Sequence, residues 1–263
     1  MKKIKFLLMA SVLLLAFGCN KETNPNHSLN KPIEELTVNG VSFKMIKVDG
    51  GTFTMGATPE QGDDAWDNEK PAHQVILSDY YIGETQVTQE LWEAVMGSNP
   101  SSNKGPENPV DCVSWNDVVN DFLPELNKLT GQTFSLPTEA QWEFAARGGN
   151  KSKGYKYSGS NNLDEVAWYK DNSNINTHPV GQKLPNELGI YDMSGNVWEW
   201  CSDWFENYSA EAQIDPTGPA SGSNRINRGG LYGSNARFCR VSFRSTSVPD
   251  VGDFCGFRLA LSL

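Results

Sequence analysis

The segment Gly189–Trp204, GIYDMSGNVWEWCSDW, constrains this chain more than any other. Tryptophan is bulky and apolar and belongs in a core, whereas Gly, Asn and Asp belong in turns. Packing both kinds into one short stretch calls for a tightly folded, irregular core segment. Such a segment must satisfy many backbone polar groups without a long helix or sheet, and a bound cation is one way to do that.

At the N-terminus, Lys2, Lys3 and Lys5 precede the apolar run Phe6–Phe17. A basic stretch followed by an apolar run too short to span a bilayer is the pattern of an export signal. The run ends in Ala16-Phe17-Gly18-Cys19, which resembles the lipobox of bacterial lipoproteins, although Phe17 is larger than the usual small residue. The expected organisation is a lipoprotein signal peptide at 1–18, a lipidated Cys19 and tether over 19–39, and one folded domain over 40–263. The expected location is the bacterial cell envelope, periplasmic or surface side, with the lipid as the sole membrane contact. An ordinary secretory signal with a chance cysteine is the alternative.

The remaining chain suffices for one large domain. Its aromatic residues (8 Trp, 8 Tyr, 12 Phe over the whole sequence) can fill a core, while 24 Gly and 14 Pro point to abundant turns and loops. A net charge of −10 argues against nucleic acid and anionic membrane surfaces as partners. Cys112, Cys201, Cys239 and Cys255 have no CxxC spacing, which argues against a zinc site or a thioredoxin-like pair. In an oxidising compartment two disulfides are expected, with the pairing open. Cys239 reads as a buried thiol or half of a disulfide, with Cys201 the favoured partner.

Val41–Gly56 reads as strand, turn and strand, and Val75–Ile82 as another strand. Three helices are expected. Thr88 caps the first, Val87 staples onto Trp92, and Gly97 stops it. Ser114 caps the second, with Val118, Phe122, Leu126 and Leu129 on one face and Pro124 kinking it. Thr138 and Gln141 form a capping box on the third, which ends at Gly148. Residues 150–235 read as long ordered loops, with Arg237–Arg244 and Gly256–Leu263 as closing strands. The run Glu60–Glu69 reads as a solvated loop, and His73 and His178 as surface or turn residues. GxSxG, Walker and dinucleotide motifs are absent, so a serine hydrolase or metallohydrolase is not expected.

Several segments together carry a family resemblance: GGTFTMG (50–56), PVDCVSWNDV (109–118), LPTEAQWEFAARGG (136–149), NELGIYDMSGNVWEW (186–200), RGG (228–230), ARFCRVSFR (236–244) and GFRL (256–259). Their order and spacing resemble the sulfatase-modifying-factor domain of formylglycine-generating enzymes. The resemblance implies a single α+β domain related to C-type lectins, with little regular structure and long ordered loops. It also implies oxidation of a sulfatase cysteine to formylglycine, using oxygen and a Cu+ ion held by two cysteines; soft thiolates select that ion. Aligned on Gly229-Gly230, the family's serine falls at Leu231, its first cysteine at Ser234 and its second at Cys239. Only one of the three is kept, and a serine hydroxyl is too hard to replace a thiolate. The family's structural disulfide positions fall at Phe122 and Leu259, an apolar pair.

The resemblance further implies a Ca2+ site made by Asp192, Gly195, Val197 and Glu199, a mixed carboxylate and carbonyl set that suits this ion. Turn capping by the two acids is the plainer reading. A second calcium loop of some relatives matches the region near Asp164–Asn174, too divergent to assign. The family binds its peptide substrate over the surface matching Trp198, Tyr232 and Arg237, although at least one of Trp198 and Trp200 is expected in the core. Taken together, the expected protein is a lipid-anchored, calcium-stabilised binding or scaffold module with an envelope protein or peptide as partner. The alternative is a copper- and oxygen-dependent oxidoreductase acting on a protein cysteine. Carbohydrate binding rests on the lectin analogy alone.

Overall fold

The computed structural model describes residues 31–263. The expected signal peptide, Cys19, His27 and the tether up to residue 30 lie outside the described residues. The strands in chain order are β1 (Ile33–Val38), β2 (Val41–Val48), β3 (Gly51–Met55), β4 (His73–Leu77), β5 (Tyr80–Gly83), β6 (Trp198–Trp204), β7 (Gln213–Ile214), β8 (Arg225–Arg228), β9 (Arg244–Ser247), β10 (Cys255–Gly256) and β11 (Ala260–Ser262). They form three sheets of order β1-β2-β5-β11, β10-β6-β8-β9 and β3-β4-β7. The domain therefore begins before residue 40: Ile33–Val38, expected in the tether, pairs antiparallel with β2.

Helix α1 (Gln89–Met96) starts and stops as its caps dictate: Thr88 Oγ1 accepts from Leu91 N at 3.2 Å, and Gly97 ends it with φ of 73°. Val87 and Trp92 are buried in one apolar cluster, consistent with the staple. Ser114 exchanges hydrogen bonds with Asp117 and opens a π-helical turn, Asp117–Phe122, that runs into α2 (Leu123–Thr130). Pro124 has no N–H to give the ladder, and a widened turn stands immediately before it. Val118, Phe122 and Leu126 are buried, but Leu129 is exposed. Helix α3 (Glu139–Ala146) carries the full Thr138–Gln141 capping box. Phe122 and Leu259 lie in the same core cluster.

Other expectations need correction. The stretch 75–82 is two strands in different sheets, because the chain turns at Ser78-Asp79. Residues 150–235 are not all loop: a short α4 (Leu163–Val166) and strands β6, β7 and β8 lie within them. Arg237–Arg244 is no strand; Ala236–Cys239 is a 3-10 turn, and pairing starts only at Arg244. The acidic 60–69 stretch is not a free loop, since Glu69 is wholly buried against Arg240. His73 is buried, and His178 stacks on Trp168 with ring centres 3.8 Å apart. The expected disulfides are absent: all four cysteines are free, and Cys255, Cys201 and Cys239 belong to three different apolar clusters. Among the described residues no helix is long and apolar enough to cross a membrane.

Charge holds the irregular parts together. Arg228, Arg240 and Arg258 are among the largest wholly buried side chains. Arg240 forks onto Glu69 at 2.7 and 2.6 Å and also donates to the carbonyls of Asp64 and Arg237. Arg228 pairs with Glu143 on α3 and donates to the carbonyls of Val241, Ser242 and Phe243. Arg244 forks onto Glu139 at 2.7 Å through both oxygens and reaches the carbonyls of Asn68 and Glu206. A planar guanidinium with five donors can satisfy a carboxylate and loop carbonyls together, which is why loops without a ladder stay ordered here.

Candidate functional site

Positive φ angles at Asp192 (57°), Gly195 (85°) and Asn196 (63°) coil the 189–197 backbone so that carbonyls point inward. Gly195 is required at its position, because a Cβ there would lie 2.3 Å from the Trp168 carbonyl oxygen. The carbonyls of Asp192, Gly195 and Val197 and the Glu199 Oε1 converge on the Gln86 side-chain nitrogen, at 3.3, 3.4, 3.1 and 2.9 Å. An amide nitrogen carries only two hydrogens, so it cannot serve all of these oxygens well. Gln86 Oε1 and Asp192 Oδ1 are buried without any partner. The other Asp192 oxygen accepts from Gly181 N at 2.7 Å. Burial pushes the Asp192 carboxyl up to about 6.

Glu199 is held by its own set of donors. Arg258 forks onto it at 2.7 Å through both oxygens, and Trp142 Nε1 donates at 2.7 Å. Arg258 also donates to the carbonyls of Gly83 and Tyr191. The four positions expected for calcium are thus brought together, and hard oxygens converging on one point beside an orphaned buried carboxylate oxygen fit Ca2+. Among the described residues no three His, Cys, Asp or Glu side chains are grouped to hold a metal, so carbonyls would dominate such a site.

The copper positions come out differently. Cys239 is wholly buried among Tyr157, Leu163, Val166, Ala167 and Tyr169, and burial pushes its thiol up to about 12. A thiol so placed stays protonated at neutral pH, and the thiolate is the metal ligand. Ser234 Oγ accepts from Leu231 N at 3.0 Å, and Ser234 N donates to the Leu231 carbonyl at 2.8 Å, so this hydroxyl stabilises its own turn. No second thiol shares the Cys239 cluster. These donors do not fit Cu+.

Above this turn lies an open cavity of about 510 Å³. Its aromatic wall is made by Trp66, Trp198, Phe205, Phe238 and Phe243, and Leu231 and Ser234 also line it. Trp66 meets Phe238 and Phe243 edge-on, with ring centres 5.9 and 5.2 Å apart. Arg237 is exposed and lies over the rings of Trp66 and Phe238, at 5.8 and 4.6 Å. Of the expected groove residues, Trp198 lines this cavity and Arg237 stands beside its wall. Tyr232 does not join them: its ring packs on Phe254, and it lines a smaller cavity with Asp111 and Asn176. Trp200 is the core tryptophan.

Three neighbouring sheets, loops fastened by buried Arg–Glu forks and the coiled GNVWEW turn define the class. Residues 33–263 match the family described as the sulfatase-modifying factor enzyme 1-like domain, and the chain belongs to that family. It is 34% identical to the chaperone protein LppX of Paenibacillus barcinonensis, covering 92% of each chain. It is 30% identical to the formylglycine-generating enzyme of Streptomyces coelicolor, covering 82% of this chain and 88% of that one. Among solved structures it resembles Treponema denticola variable protein 1, with a TM-score of 0.80 and 33% identity over 88% of this chain and 99% of that one.

Sequence reasoning missed Gln86, Arg258 and Trp66. Gln86 precedes the Val87-Thr88 helix start, and nothing in that local pattern points to a loop 106 residues away. Trp66 sits in a charged run whose polarity hid its role.

Proposed function

We propose that this protein is a binding module, tethered to the cell envelope by a lipid on Cys19, whose ligand is a protein or peptide segment held in the aromatic cavity. The observation that carries this reading is the burial of Cys239 away from the cavity, with Ser234 and Leu231 in its place on the wall. The cavity offers ring faces and a nearby arginine, the surface that favours peptide contacts, and no reactive group. Similarity to a protein named a chaperone supports a polypeptide ligand.

The family scaffold in this reading is stabilised by Ca2+ held through the Asp192 side chain, the Gly195 and Val197 carbonyls and Glu199, with the Gln86 amide turned so that its unpartnered oxygen faces the ion. The ion supplies structural charge only. The retained Cys239 favours the alternative, copper- and oxygen-dependent conversion of a protein cysteine to formylglycine. Copper(I) titration of the reduced protein, followed by mass spectrometry of a Cys-X-Pro-X-Arg peptide incubated with it in oxygen, separates the two. The binding-module reading expects no tight copper binding and an unchanged peptide; an aldehyde product would overturn it.

A further inference from the structure

A second cavity, of about 190 Å³, opens beside the first, and Arg244 lines both. It lies between His73 of β4, the start of α3 and the end of β6, and is roofed by the 206–219 loop. Asp203 of β6 lines it while being only 5% exposed. One Asp203 oxygen, Oδ2, accepts from Glu139 N and Ser202 Oγ, each at 2.9 Å. The other, Oδ1, accepts no hydrogen bond among the described residues. A Cβ at Gly218, another lining residue, would lie 3.2 Å from Oδ1, so glycine there keeps the carboxylate uncovered.

Arg225 and Arg244 act on Asp203 through space, but among the described residues neither forms an ion pair with it. Glu139 of α3 is forked by Arg244 of β9 and lies 3.4 Å from Arg228 of β8, and it accepts from the Tyr208 hydroxyl. Arg225 of β8 is clamped between Trp115 and Trp204 and donates to the Ser202 carbonyl. His73 Nδ1 is bonded to the Pro71 carbonyl oxygen, and its ring abuts Tyr208. Cys201, two residues before Asp203 on β6, is a buried thiol whose pKa burial pushes up, and Glu206 joins Glu139 and Asp203 as a third acid on the wall. A carboxyl nine-tenths buried, with one oxygen open to a cavity and no ion pair among the described residues, leaves room for a positive ligand. The space far exceeds the roughly 10–15 Å³ that one water needs. Met55, Ala140, Pro216 and Pro219 provide apolar wall for a methylene stem behind a charged head.

We propose that this cavity binds a cationic side chain, an alkylammonium or guanidinium of the lysine or arginine type, with Asp203 Oδ1 as its acceptor. The inference is independent of what occupies the aromatic cavity. Burial, and then Glu139, push the Asp203 carboxyl up to about 7, so a cation that binds the ionised form must expel a proton. The sign is fixed: binding strengthens as pH rises through 7 and weakens below it.

The test is calorimetric titration of the full chain with Nα-acetyl-lysine amide and with Nα-acetyl-arginine amide, at pH 6 and pH 8. Buffers of different ionisation enthalpy report the protons released. The expected result is saturable binding by at least one probe, about tenfold weaker at pH 6, with proton release near pH 7 and loss of binding in Asp203→Asn. No saturable binding at pH 8, binding without proton release, or equal binding by Asp203→Asn would overturn the proposal and leave Asp203 as a cap on α3. Equally tight binding of K+ or Na+ would also overturn it. The proton-release measurement uses the unaltered chain, so it decides even if the variant fails to fold.

Discussion

Residues 189–204 and 228–244 are the two signature stretches that place this chain in its family, and they are built to opposite ends. The first is closed from residue 192 to 197, and its later part, Trp198–Trp204, lines two cavities. Its carbonyls, Glu199 and Trp200 point into the core, while Trp198 lines the aromatic cavity and Asp203 and Trp204 line the smaller one. The second is split. Arg228, Arg240 and Arg244 are spent on buried carboxylates, while Leu231 and Ser234 face the cavity and Cys239 faces away from it. Scaffold and reactive positions are interleaved in sequence yet separate in space. The arginines that hold the loop can therefore stay while the reactive positions change, and overall similarity to formylglycine-generating enzymes does not decide activity.

The largest expected effect breaks the scaffold half. Arg240→Ala leaves Glu69 as an uncompensated buried charge, which costs about 3–5 kcal/mol. Urea denaturation should show a lower midpoint at unchanged slope, and a change within experimental error would mean that the forks do not hold the 228–244 loop.

Calcium sharpens the closed half. An ion that binds only the folded chain, at a concentration 100-fold above its Kd, adds about 2.7 kcal/mol. EDTA should lower the melting temperature and added Ca2+ should restore it, and Glu199→Gln should blunt that response. A melting temperature indifferent to EDTA and to Ca2+ removes the assignment.

A smaller effect comes from buried acid. Asp203 is raised in the folded chain to about 7, so its contribution to stability is full below the unfolded value near 3.9 and is lost as pH rises through 7. Asp203→Asn should therefore be the more stable protein at pH 8, by on the order of 2 kcal/mol, with the advantage vanishing toward pH 4. The same stability at both pH values would mean that the carboxyl is not desolvated.

Local chemistry was legible where it is local. Thr88, Gly97, Thr138 and Gln141 set helix ends through contacts a few residues apart, and the structure keeps all of them. The oxygens of the 192–199 turn were named through the family resemblance, and the coil at Asp192, Gly195 and Asn196 brings them together. Long-range electrostatics was not: Glu69–Arg240 spans 171 residues, and a buried pair of that reach looks in sequence like two surface charges. The disulfides failed for the same reason. Even cysteine number says nothing about which thiols share a cluster, and here none of the three buried ones do.

The most direct test of the central claim is thiol labelling of the native protein, resolved by mass spectrometry. Cys112 is half-buried, with its sulfur 3.3 Å from Ser102 Oγ, and should react first. The account predicts that Cys239 stays unlabelled until the chain unfolds. Labelling of native Cys239 at the rate of Cys112 would contradict it and put a reactive thiol back at the candidate site.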